Sequence, residues 1–432
     1  MYNSTKLLKK MVFVLLAGLT FGASAAQAAT VYVSAANNSG VEDGSAINPF
    51  NTIQEGINAA VAGDTVLVAP GIYHGAIELK DSVLVASEKG PQVTIIDGDG
   101  SMIVINPPYS LASSTKLEGF TVRNGTYLVY LSNRNNFWSY SEIRIRNCVF
   151  TGWGGSAIDV MPMAMAYVTQ SLFYNPGPAN AGTEVYDGIW CSRPEFTNVT
   201  IDQVGLGFMM YQTSVNLTNT TVSNVTTLAA TWGQYGSGYL SSNYSNFYNI
   251  TNDKAPGDRG QLPWLNMQNS MAVDPLFVNA AMADYYLRRG SPLIDAGINV
   301  GLPFNDTAPD IGAYEVSVSI PEMVEGLAHS YQDVPLAAYK NAAEQRRDAL
   351  QNKFKALLKQ IAAITDTMTR DQKLTAWQDA LDKLLNDIWA KGDGFYGGNP
   401  KNDWITTKEE QTRLYEKVKE LETAIRAEIA KL

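Results

Sequence analysis

A short phrase that keeps returning between residues 144 and 250 constrains this chain more than any other feature. It reads NCVF at Asn147–Phe150, QSLF at Gln170–Phe173, NVTI at Asn198–Ile201 and NTTV at Asn219–Val222. A looser copy, YSNF, ends at Phe247, and an earlier one, LEGFTV, ends at Val122. The last residues of successive copies lie 28, 23, 28, 21 and 25 positions apart. Repetition at such a period is the mark of a solenoid, whose units bury their apolar faces only by stacking. Apolar residues alternate within each phrase, Cys148 with Phe150 and Val199 with Ile201, and a period of two is that of a strand. One half-buried strand cannot use so many residues. A coil of three short strands and their turns can, with the next coil about 4.8 Å above it. The amide at the head of each phrase suits a turn, because Asn tolerates left-handed backbone and can bond the Asn of the next rung. The expected fold is mainly β, a parallel β-helix. On this reading the N-x-[ST] triplets at Asn198, Asn216, Asn219, Asn224, Asn243 and Asn249 arise from Asn in turns and Thr in strands, not from glycosylation.

Residues 1–28 read as a signal peptide: Lys6, Lys9 and Lys10, an apolar run from Met11 to Ala23, then Ala26-Gln27-Ala28 as a cleavage site. The apolar run is too short to span a bilayer, so the mature chain is expected to be exported, without a membrane span. The chain holds 32 Lys+Arg and 42 Asp+Glu, and the imbalance is local. Residues 29–334 carry 12 basic and 27 acidic side chains, a net −15, whereas 335–432 carry 17 and 15. Such a body repels polyanions, which speaks against nucleic acid, and against a polyuronate unless calcium bridges the like charges. Cys148 and Cys191 fall at inward strand positions and read as two buried thiols; a monomer is expected.

The segment TIQEGINAAVAGDTVLVAPGIYHG, Thr52 to Gly75, contains a short amphipathic helix placed to cap the solenoid at its start. This segment resembles the opening of the pectin-lyase-like, right-handed parallel β-helix superfamily, shared by pectin methylesterases, several polysaccharide lyases and many secreted bacterial proteins. VTIIDGDG and LEGFTVRNG are similar to the following rungs. DPLFVNAAMADYYLRRGSPLIDAG and DIGAYE (Asp310–Glu315) resemble the closing piece of secreted bacterial members. The resemblance spans about Thr30 to Glu315 and implies a right-handed β-helix over 29–318. Asp274, Asp295 and Asp310, each near a Pro or Gly, read as turn-forming acids.

After a linker at 319–334 the periodicity changes. Leu350, Phe354, Leu357 and Ile361, then Leu374, Trp377, Leu381 and Leu384, then Leu414, Val418, Leu421 and Ile425 step by three and four. These stripes predict a C-terminal three-helix bundle over 335–432.

A scaffold does not give an activity, so each chemistry has to be tested on its residues. GIYHG resembles the first pectin methylesterase motif but has Gly75 where that family has a glutamate, and the later aspartate motifs are missing. The adjacent aspartate pair of polygalacturonase-like hydrolases is missing too. With only His74 and His329, a histidine-based metal site or triad is unsupported. A polysaccharide lyase needs a Lys or Arg base and neutralisation of a uronate carboxylate. Candidate bases are Arg193 and Lys254, from a set that includes Arg123, Arg134, Arg144, Arg146 and Arg259. Candidate calcium ligands are Asp159, Glu184 and Asp187; aligning SAIDV with YDGIW stacks Asp159 near Asp187. Trp153, Trp190, Trp232 and Tyr211, with Tyr235, recur at related points of successive rungs and are the candidate sugar platforms. Two functions remain open: a calcium-assisted polysaccharide lyase, or a noncatalytic glycan-binding or envelope solenoid.

Overall fold

The computed structural model describes residues 28–432 except 107–114, 132–140, 163, 176–183, 190–191, 233–236, 257–260, 306, 317–318, 366, 392–402 and 431. The expected signal peptide therefore lies outside the described residues up to residue 27, as do Trp190, Cys191, Arg134, Tyr235 and Arg259.

The repeated phrases do stack. Val122 pairs in parallel register with Phe150, Phe150 with Phe173, Phe173 with Ile201, Ile201 with Val222 and Val222 with Phe247. The first five of these side chains are 0% exposed, so they form one continuous internal column. The rings of Phe150 and Phe173 stack at 4.7 Å. Each such buried side chain contributes on the order of 2–3 kcal/mol.

The head of every phrase is the residue that turns the chain. Gly119, Asn147, Gln170, Asn198, Asn219 and Tyr244 all have positive φ, between 49° and 81°. The amide ladder forms in part: Asn219 Nδ2 donates to Asn198 Oδ1 at 3.2 Å, and Asn249 Nδ2 to Asn224 Oδ1 at 2.7 Å. A second left-handed corner follows five residues after most heads, at Asn124, Gly152, Gln203, Asn224 and Asn249. Two fixed corners leave the variation in rung length to the third side of the coil. The free thiol of Cys148 is 1% exposed and burial pushes its pKa up to about 12, which makes it an inert core group.

At the start of the solenoid the helix Ile53–Ala59 buries Ile53 and Ile57, and Thr52 with Glu55 forms its capping box. At the other end the chain folds back along the outside. Asn219 bonds both the N–H and the carbonyl of Ile298, and the Ala313 N–H donates to Thr200 Oγ1 at 2.9 Å. The acids read as turn-forming do accept local N–H groups: Asp274 from Leu276, Asp295 from Thr307 and Ala308, Asp310 from Val316.

The helical region contains one element more than the sequence suggested. Ala343–Ala362, Arg370–Asp382 and Lys408–Ala430 are helices, the second continuing as a π-turn over Lys383–Ile388. The linker expected at 319–334 is instead a helix, Ile320–Gln332, whose Val324, Leu327 and Tyr331 join the bundle core. Ser319 and Glu322 form its capping box and Pro321 sits in its first turn, where a missing N–H does no harm. No described helix is long and apolar enough to cross a membrane.

Candidate functional site

Three carboxyls gather on one side of the solenoid. Strands Thr126–Leu131 within Thr121–Leu131, then Ser156–Val160, Glu184–Ile189 and the second half of Glu195–Tyr211, lie side by side. Ile158, Tyr186 and Phe208 are in register and fully buried. The next residue on each strand points the other way: Tyr130 lies beside Asp159, Asp159 beside Asp187, and Asp187 beside Met209. Glu184 pairs with Ser156, whose Oγ donates to its carboxylate at 2.9 Å. The stacking of Asp159 on Asp187 is the one the sequence alignment anticipated.

These acids hold their protons unusually tightly. Burial, then the charges of Asp187 and Glu184, push Asp159 up to about 7. Burial pushes Glu184 up to about 7, against the hydrogen bond from Ser156. Burial also raises Asp187 to about 6, while a hydrogen bond from the Trp232 indole and one from the Gly188 N–H hold it back. Asp187 Oδ1 is buried without a hydrogen-bond partner. The Tyr127 hydroxyl stays protonated to a higher pH than usual, through burial and then the charges of the same three acids. Its ring centroid lies 6.0 Å from that of Tyr130. Both tyrosines escaped the sequence reading, because they follow the loose first copy of the phrase, one rung before the SAIDV and YDGIW strands that carry the acids.

The aromatic candidates divide. Trp232 is 41% exposed and stacks on Tyr211 at 5.0 Å with 30° between the rings. That pair is a platform next to Asp187. Trp153 is 3% exposed and belongs to the apolar core, in register with Gly125, so it is not a sugar platform.

The candidate bases are not with the acids. Lys254 is exposed and lies in register with Ala229, which pairs with Phe208 and so, one rung further, with Tyr186. Three rungs separate it from Asp187's strand, roughly 14 Å at the usual strand spacing. Arg193 is exposed, past the end of the acid strand Glu184–Ile189, and makes no ion pair with any described residue. Arg123 is held by Asp97 at 2.7 Å and Arg144 by Glu142 at 2.7 Å. The three candidate calcium ligands do not close into one cluster. Their oxygens are of the type calcium takes, but among the described residues no group of three or more such side chains is placed to share a metal ion. Stacked strands set Asp159 and Asp187 side by side, while Glu184 is three residues away and tied to Ser156.

Residues 103–273 match the family model described as a right handed beta helix region. No curated protein sequence matches the chain. Among solved structures, the pectate lyase Pel9A is similar with a TM-score of 0.42 and 14% identity over 67% of this chain and 96% of that one. A pectin methylesterase from carrot gives 0.37 and 11% over 59% and 84%. An alginate lyase from Paenibacillus sp. str. FPU-7 gives 0.26 and 10% over 57% and 99%. Likeness at this level says nothing about activity. From its registers, its left-handed corners and its family match, the solenoid of this chain is a right-handed parallel β-helix, the architecture that its resemblance to the pectin-lyase-like superfamily implies.

Proposed function

We propose that the protein is exported and acts on extracellular carbohydrate, with the Asp159, Glu184 and Asp187 groove beside the Tyr211–Trp232 platform as its site. One observation carries this reading: Asp159 stacks directly on Asp187, and the exposed Tyr211–Trp232 pair lies alongside. Sugar rings stack on aromatic faces, and buried carboxyls are strong acceptors for hydroxyl groups. Two interacting carboxyls with raised and different proton affinities are also what acid–base cleavage of a glycosidic bond requires. The protonated partner gives its proton to the leaving oxygen, and the ionised one activates water or attacks the sugar carbon. Among the described residues no Lys or Arg base that could abstract a proton from a uronate lies beside the acids, and an acidic sugar would meet like charge there. The preferred substrate is therefore a neutral glycan. The basic n-region and cleavage site of residues 1–28 support export.

The test is a panel of neutral and uronate polysaccharides, read both for new reducing ends and for ultraviolet-absorbing unsaturated products, with and without calcium. New reducing ends from a neutral glycan, lowered about 100-fold or more by Asp159→Asn or Asp187→Asn, are expected. Full activity in both variants would remove these residues from the chemistry. Unsaturated products that need calcium would replace hydrolysis with elimination. Binding without turnover, lost in Trp232→Ala, would leave the noncatalytic reading, which the exposed Tyr211–Trp232 pair by itself supports.

A further inference from the structure

Beyond Tyr211 the chain turns onto another face of the solenoid, where Thr213–Thr218, Gly238–Asn243 and Trp264–Gln268 stack in parallel. Val215, Leu217 and Leu240 point inward and are at most 1% exposed. The residues between and beside them point outward in columns. Ser214, Tyr239 and Trp264 share one column, and Asn216, Ser241 and Asn266 the next. Thr218, Asn243 and Gln268 complete the array.

None of these nine positions is charged. The earlier rungs of the same face are different. Lys116 is in register with Arg144, and Glu118 with Arg146. Arg144 pairs with Glu142 and lies 4.7 Å over the Tyr167 ring. Glu195 is in register with Asn216, and the charges stop there. Solvated surfaces usually intersperse charges for solubility, so a regular patch of amides and hydroxyls bearing exposed aromatics is out of character with its own face. Trp264 is 67% exposed and Tyr239 52%.

We propose that this uncharged face is a second carbohydrate site, one that holds a neutral polysaccharide chain against the solenoid. Asn and Gln amides donate and accept at once, as sugar hydroxyls do, and Trp264 and Tyr239 offer ring faces for the apolar side of a pyranose. Strands repeating every ~4.8 Å present these groups in rows, which suits an extended polymer of repeating units. A uronate or a nucleic acid would need cations that the array lacks. The site lies around the corner from the acid groove and does not rest on the groove's proposed activity.

Affinity electrophoresis and pull-down on neutral glucans, mannan and xylan, with polygalacturonate as the acidic control, test it. Trp264→Ala and Tyr239→Ala should each weaken binding to at least one neutral polymer about tenfold, with an unchanged melting temperature because both side chains are exposed. Asn266→Asp, which keeps the shape and adds a charge, should weaken it too. The same losses should appear when Trp264→Ala and Tyr239→Ala are made in a Trp232→Ala background, where binding at the acid groove no longer contributes. Unaltered binding in Trp264→Ala, Tyr239→Ala and Asn266→Asp would overturn the proposal. So would binding of polygalacturonate alone. A dimer that falls apart in these variants, with glycan binding unchanged, would make the face a contact between copies and overturn it as well.

Discussion

Asp202 and Asp187 put two carboxyls on neighbouring stretches of the same coil, and only the first has all the partners it needs. Asp202 is 0% exposed and accepts hydrogen bonds from Tyr285 at 2.9 Å, Ser223 at 2.7 Å, Asn224 at 2.7 Å and Gln203 at 2.9 Å. Tyr285 comes from the closing segment, so this carboxyl fastens that segment to the solenoid. Asp187 has a buried oxygen with no partner and a second acid, Asp159, in register beside it. A carboxyl surrounded by donors builds structure. A group of acids left short of donors and close together lowers stability, and such groups concentrate where a ligand or a reaction uses them. The contrast separates holding from function within one architecture.

The strongest way to break the contrast is to remove the clamp. Asp202→Ala leaves Tyr285, Ser223 and Asn224 without their acceptor and should cost about 3–5 kcal/mol in chemical denaturation. A loss below about 1 kcal/mol would mean that the closing segment is held elsewhere.

The acid groove should show itself through pH. Asp159, Glu184 and Asp187 have folded-state values of about 7, about 7 and about 6, above their ordinary 3.8, 4.5 and 3.8. A carboxyl raised in this way stabilises the fold fully below its unfolded value, and that contribution disappears as pH rises through the folded value. Melting temperature should therefore fall from about pH 4 to about pH 7, with the three acids together contributing several kcal/mol. Combining Asp159→Asn with Asp187→Asn should flatten the profile. A wild-type profile already flat over that range would show the acids to be ordinary.

Smaller effects sharpen the comparison further. Tyr285→Phe removes one donor from Asp202 and should cost about 1 kcal/mol, with no effect on glycan binding. Asp187→Asn alone should raise stability by up to about 1 kcal/mol at neutral pH, because it removes a buried charge and relieves repulsion from Asp159. A loss as large as that of Tyr285→Phe would place Asp187 on the structural side of the divide.

The column from Val122 to Phe247 and the pairing of Asp159 with Asp187 were legible because a solenoid forces neighbours in space to be one rung apart in sequence. Left-handed corners were legible at Asn147, Asn198 and Asn219, where the residue type suits the conformation, and hidden at Gln170 and Tyr244, where it does not. Helix Ile320–Gln332 was missed because Pro321 and Gly326 look like loop residues. Pro321 fits the first turn, and Gly326 makes room for Arg289 of the closing segment. Trp153 was misplaced because a residue at the end of a strand has no alternation after it to reveal its side.

The sequence by itself determined the rung, its period and its inward residues, since these follow from local alternation and from turn chemistry repeated along the chain. Only the tertiary structure decided which outward residues matter. The Asp202 clamp joins groups 83 positions apart, and the burial that lifts Asp159 toward neutrality is a property of everything packed around it, which no spacing within a rung encodes.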